Sequence, residues 1–168
     1  MKENTWEKYS RKDLDEMNVF CEGYKDFISE CKTEREVIKF AINLAKKTGF
    51  LNLNDVINQK IKLKPGDKVY ALNMDKALML YVLGTEDFEK GLKIVGSHVD
   101  SPRLDIKATP LYENSGFCMV DTHYYGGIKK YQWVARPLAL HGVVIKKDGT
   151  KIDLSIGEKD DEPVFYIS

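Results

Sequence analysis

The stretch "KIVGSHVDSPRLDIK", residues 93 to 107, ends an apolar run on a histidine and sets an aspartate two residues beyond it. An imidazole nitrogen is the commonest protein ligand for a transition metal, and a ligating histidine normally donates its second ring N–H to a carboxylate or carbonyl. Side chains two apart on a strand point to the same side. Asp100 can therefore approach the ring of His98 if the strand continues through Val99. The end of a buried strand in an α/β sheet is also where ligands collect. The pair reads as a metal ligand with its supporting carboxylate. The plainer alternative is that Asp100 forms a turn before Ser101-Pro102 and His98 simply ends a strand.

Other chemistry is weakly supported. Ser97 lacks the Gly-x-Ser-x-Gly elbow, and no cysteine has an obvious base beside it. Gly126-Gly127 lacks the spacing of a phosphate loop and reads as a turn or bulge. His123 and His141 fall on expected strands and read as packing or surface residues. Nothing in their spacing draws them to His98.

The elements that must position His98 fall into two halves. Leu14, Met17, Phe20, Cys21, Tyr24, Phe27 and Ile28 recur at helical spacing. A second helix starts at "TERE", where Thr33 and Glu36 make a capping box. Its apolar face is Val37, Phe40, Ala41, Leu44 and Ala45, and Gly49 stops it. After the Pro65-Gly66 turn, "KVYALNM", "ALMLYVLG" and "KIVGSH" read as three strands, the first two a hairpin and the third more fully buried. From about residue 105 the chain is strand-like almost throughout. "LDIKATPLYE", "GFCMVDTHYY", "LALHGVVIKKDGTKIDLSIG" and "PVFYIS" alternate or run apolar, with a hairpin turn at Asp148-Gly149. "EKDDEP" reads as a solvated loop. The fold class expected is α/β, expressed in this chain as α+β.

Composition narrows the function classes. The 168 residues are 43% hydrophobic and 31% charged, which suits one ordinary globular domain or one and a half small ones. Twenty-six basic residues balance 26 acidic ones, so no net field favours nucleic acid or an anionic membrane. "MKENTWEKYSRKD" has no apolar core of a signal peptide, and "ALMLYVLG" is too short to span a bilayer. Cys21, Cys31 and Cys118 are odd in number and form no Cys-x-x-Cys, which suits reduced thiols in a cytoplasmic protein.

"SHVDSPRLDIK", followed by "YYGGIKKYQW" and "RPLALHGVVI", resembles the aspartyl aminopeptidase and aminopeptidase I family of zinc metallopeptidases. The "KTEREV" helix and "LKPGDKVY" strand entry also fit, so the resemblance covers nearly the whole chain. It implies that His98 is a metal ligand and that Asp100 is the carboxylate supporting it at the catalytic centre. It implies a division into residues 1–104, the first segment of a catalytic domain, and residues 105–168, the start of an inserted β-rich lid and assembly domain. Tyr125 to Gly127 would open that second part. Lys129 stands where the family usually has tryptophan, and Ala135-Arg136 where Asp-Arg is common.

The implied reaction is removal of N-terminal residues from peptides with a free N-terminus. In the family two zinc ions share an activated water and a glutamate takes its proton. Cobalt or manganese suits an imidazole as well. The implied assembly is a homo-oligomer, dodecameric in the family. Family members are several hundred residues long, and their bridging aspartate, glutamate pair, further aspartate and last histidine lie beyond the equivalent of Ser168. The chain is expected to be inactive alone and to leave strand edges unpaired. The alternative reading is a non-catalytic assembly or regulatory module that keeps the β-domain.

Overall fold

A computed structural model describes residues 4–167. The chain divides into two compact units, Met1–Val99 and Asp100–Ser168.

The first unit opens with helix α1, Arg11–Glu30, whose N-terminus is closed by a Ser10–Asp13 capping box. Helix α2, Glu34–Lys47, carries the expected Thr33–Glu36 box. Glu36 accepts from the backbone N–H of Thr33 at 2.8 Å and of Lys32 at 2.9 Å, which satisfies donors that the first helical turn leaves open. Replacing Thr33 by Ala is expected to cost about 1 kcal/mol, read as a lower urea midpoint at unchanged slope. Gly49 ends α2 at φ 87°, with Phe50 N–H on the Ala45 carbonyl at 3.0 Å and Gly49 N–H on the Lys46 carbonyl at 3.1 Å. That pair is the Schellman closure, and the left-handed residue in it favours glycine.

The two helices meet through Phe27 and Phe40, ring centroids 5.1 Å apart. The expected face of α2 is covered except at Leu44. Ile38 and Ala45 are buried, whereas Leu44 is exposed. Val37, Phe40 and Ala41 are half-buried beside that pair, and the spacing from 38 to 45 is two turns.

Strand β1, Leu51–Asn52, pairs in parallel with β2, Lys68–Asn73, and the short helix α3, Leu53–Asn58, lies between them in the chain. β2 pairs antiparallel with β3, Ala77–Val82, from Lys68↔Val82 to Asn73↔Ala77. This is the hairpin the sequence predicts. Its tight turn holds Met74 and Asp75 at φ 50° and 55°, a conformation side chains disfavour. Arg35 of α2 steadies it, donating to the Met74 carbonyl at 3.0 Å and lying 3.7 Å from the Asp75 carboxylate. The buried core of the described residues is Ile38, Ala45, Val56, Val69 and Tyr70, all in this unit.

One expectation fails here. "KIVGSH" forms no strand: residues 91–102 are irregular, with Ile94 83% and Val95 100% exposed. A strand needs a neighbour to take its N–H and C=O groups. Among the described residues no strand lies beside this stretch.

The second unit holds two antiparallel ribbons. β4, Arg103–Asn114, pairs with β5, Phe117–Tyr125, across a Ser115-Gly116 turn in which both residues have positive φ. The register shifts between Ile106 and Leu111, so β4 bulges there. A four-residue helix α4, Lys130–Trp133, follows. β6, Leu140–Ile145, and β7, Lys151–Ile156, pair across the expected Asp148-Gly149 turn. Of "PVFYIS" only Phe165 bridges, to Leu138; Ser168 lies outside the described residues. None of the described residues of this unit is fully buried.

Candidate functional site

His98 lies on the irregular stretch after β3 and is exposed; Asp100 opens the second unit and is partly buried. With no strand at this point, the shared direction expected of alternate strand residues does not apply to them.

The surroundings of Asp100 are built by the mouth of the β4–β5 ribbon. Arg103 and Tyr125 are directly paired across the two strands. The guanidinium of Arg103 lies over the Tyr125 ring at 4.2 Å and donates to Asp105 at 2.7 Å. A cation stacked on an aromatic face is attracted by the ring quadrupole, which helps fix the ring. So held, the Tyr125 hydroxyl donates to the Asp100 carboxylate at 3.0 Å. The chain turns away at Gly126, φ 71°, where an added Cβ would sit 3.5 Å from the Pro102 backbone. Reading the sequence assigned Tyr125 only to the start of a domain. The bond from Tyr125 to Asp100 spans 25 residues, and no local pattern reports such a contact.

The other histidines lie apart from this arrangement in role. His123 is exposed, 4.0 Å from the Asp105 carboxylate. His141 on β6 is nearly covered and contacts Glu158 at 2.7 Å through Nε2. "EKDDEP" is the exposed loop expected, except that Glu162 is half-buried. Glu162 accepts from the backbone N–H groups of Gly157 at 2.8 Å and Glu158 at 3.1 Å. The Gly157 N–H holds its carboxyl below the usual range, since the bond favours the charged form. Cys21, Cys31 and Cys118 are all free thiols, and burial pushes that of Cys31 up.

Among the described residues no three His, Cys, Asp or Glu side chains are grouped so as to hold a metal ion. Zinc takes three or four protein ligands, so the donors among the described residues do not by themselves fit a complete zinc site. No helix of the described residues is long and apolar enough to cross a membrane.

Residues 27–168 match the family model described as Aminopeptidase I zinc metalloprotease (M18). The chain belongs to the M18 aminopeptidase family. A probable M18 family aminopeptidase 1 from Clostridium acetobutylicum is 51% identical over 165 residues, covering 98% of this chain but 36% of that protein. The crystal structure of aminopeptidase I from Borrelia burgdorferi superposes with a TM-score of 0.90 at 41% identity, over 98% of this chain and 40% of that one. The structure of the Saccharomyces cerevisiae mApe1 dodecamer gives a TM-score of 0.68 at 25% identity, over 84% of this chain and 34% of that one. The chain thus spans about a third of the length of the curated relatives it matches. Its mixed α/β fold is the fold of the matching part of the M18 structures.

Proposed function

We propose that the chain supplies the N-terminal portion of a zinc aminopeptidase that removes N-terminal residues from peptides. The observation that carries this reading is the M18 match over residues 27–168, which takes in the Ser-His-x-Asp-Ser-Pro run at 97–102. In the complete enzyme the reading calls for two zinc ions, which supply an activated water and polarise the scissile carbonyl.

In this reading His98, exposed on an irregular stretch, gives one imidazole nitrogen to a metal. Asp100 orients that ring and raises its basicity. Tyr125 positions Asp100 through its hydroxyl. The remaining ligands and the glutamate that accepts a proton come from sequence equivalent to the other two-thirds of the relatives. Residues 1–104 are then the first segment of the catalytic domain and 105–168 the beginning of a β-rich lid, with homo-oligomeric assembly as in the yeast dodecamer.

The test is a chimaera that joins residues 1–168 to the remainder of the Clostridium acetobutylicum relative. It is expected to hydrolyse aminoacyl nitroanilides, to lose that activity to a chelator and to regain it with zinc. A folded chimaera that binds zinc but cleaves nothing would overturn the reading. In the same chimaera Tyr125→Phe is expected to lower kcat/KM by about tenfold. Combined with Asp100→Asn it should add almost nothing, since the hydroxyl acts through that carboxylate. Full additivity would show that Tyr125 does not act through Asp100.

A further inference from the structure

From Asp100 to Asp105 the chain reads "DSPRLD", and the second and third charges of that run converge on the bond that Tyr125 makes to the first. Arg103 and Asp105 are two apart on β4 and so point to one face. Nε of Arg103 donates to the Asp105 carboxylate at 2.7 Å. Nη1 lies 3.5 Å from the carbonyl oxygen of Ser101, the residue beside Asp100. N–H groups of a guanidinium lie in its plane, so both contacts leave the flat face for the Tyr125 ring, 4.2 Å away. One side chain therefore touches the backbone next to Asp100 and also the ring whose hydroxyl bonds to Asp100.

The ion pair adds little stability by itself. Arg103 and Asp105 expose 26% and 32% of their side chains, and water screens their attraction. Its effect is geometric. Tyr125 ends β5 and is exposed, and a tyrosine so placed changes rotamer unless something holds its face. Asp105 fixes the Nε edge of Arg103, and the fixed guanidinium then presents its plane to the ring. Lysine cannot stand in, because an ammonium is a point charge that has no plane to stack. His123 stands outside this arrangement, since its Nε2 is 4.0 Å from the other Asp105 oxygen, beyond hydrogen-bond reach.

We propose that Arg103 is a positioning residue of the candidate site: anchored by Asp105, it holds the Tyr125 ring so that the hydroxyl stays on Asp100, and only arginine serves. The Arg103–Asp105 pair then supports the site as well as the ribbon. The effect on hydrolysis rests on the proposed function, in which Asp100 orients a metal ligand; the restraint on Tyr125 is a property of this chain alone.

The experiment reads the two separately. In the metal-free 168-residue chain, NMR relaxation of labelled tyrosine rings gives the order of Tyr125, whose signal is the one lost in Tyr125→Phe. The parent ring is expected in the rigid range, with an order parameter of about 0.85, and the ring in Arg103→Lys or Asp105→Asn below about 0.6. Each variant should keep the β4 and β5 amide spectrum away from the mouth, and two variants guard against misfolding of either. In the chimaera with the Clostridium remainder, Arg103→Lys is expected to lower kcat about fivefold, the worth of an exposed cation–π contact. KM should change by less than about twofold. In a Tyr125→Phe background the same substitution should cost less than about twofold more, since no hydroxyl is left to position. A Tyr125 ring equally ordered in both variants would overturn the inference. So would an unchanged kcat, or a fivefold loss that persists without the hydroxyl. If the parent chimaera cleaves nothing, the proposed function fails, and the ring order alone decides whether Arg103 holds Tyr125.

Discussion

Purified by itself, the 168-residue chain is expected to leave aminoacyl nitroanilides uncut and to retain no stoichiometric zinc after desalting. A zinc ion held for catalysis needs about three protein ligands and an open position for water. His98 offers one nitrogen, and no group of three donors suited to a metal occurs among the described residues. A lone imidazole exchanges its metal with buffer. Without a held ion there is no lowered pKa for water and no polarised carbonyl, the contributions on which such hydrolysis depends. The measurement is metal content by atomic emission alongside nitroaniline release over hours. Chelator-sensitive turnover by the chain alone would defeat the proposal that it needs the rest of the enzyme.

The second large effect is expected from His98→Ala in the chimaera with the Clostridium remainder. Loss of a carboxylate behind a ligating histidine costs roughly 10–100-fold in affinity or activity, which is the size expected for Asp100→Asn. On the proposed two-zinc reading, loss of the ligand itself should exceed that range and remove one of the two ions. Substitution of His123, exposed on β5, should change hydrolysis less than twofold, which controls for a general effect of removing an imidazole. The decisive readings are zinc per chain and kcat/KM measured together. A His98→Ala protein with both metals and near-parental activity would show that another residue holds the ion.

Local structure was legible where it depends on residues close in sequence. Thr33 and Glu36 are three apart, and the box they form is the one the sequence predicts. Gly49, the β2–β3 hairpin and the Asp148-Gly149 turn are likewise short-range events. The stretch from Lys93 to His98 fails for the complementary reason. Its side chains suit a strand, but a strand is a relation between two segments, and the neighbour must come from somewhere else. On α2 Ala45 is buried as expected while Leu44 beside it is exposed, because which edge of an amphipathic face is covered depends on what packs there.

The candidate site divides in the same way. His98 and Asp100 were legible as a motif. The Tyr125 hydroxyl on Asp100 was not, because it follows from Arg103 and Tyr125 being opposite one another at the mouth of a ribbon. Glu162 was hidden by the plain look of its charged loop. Its bonds to Gly157 and Glu158 are local, but carboxylates in such loops are usually solvated, and composition cannot single out the one that turns inward.

The meeting of Pro102 and Gly126 has a consequence for how this part of the chain can vary. The ribbon between them leaves and returns at nearly one point, as a detour that ends where it began. Residues added to or removed from its far tip, at Ser115-Gly116, leave the paired mouth at Arg103 and Tyr125 undisturbed. A change of length at that tip leaves the Tyr125–Asp100 bond at the mouth where it is.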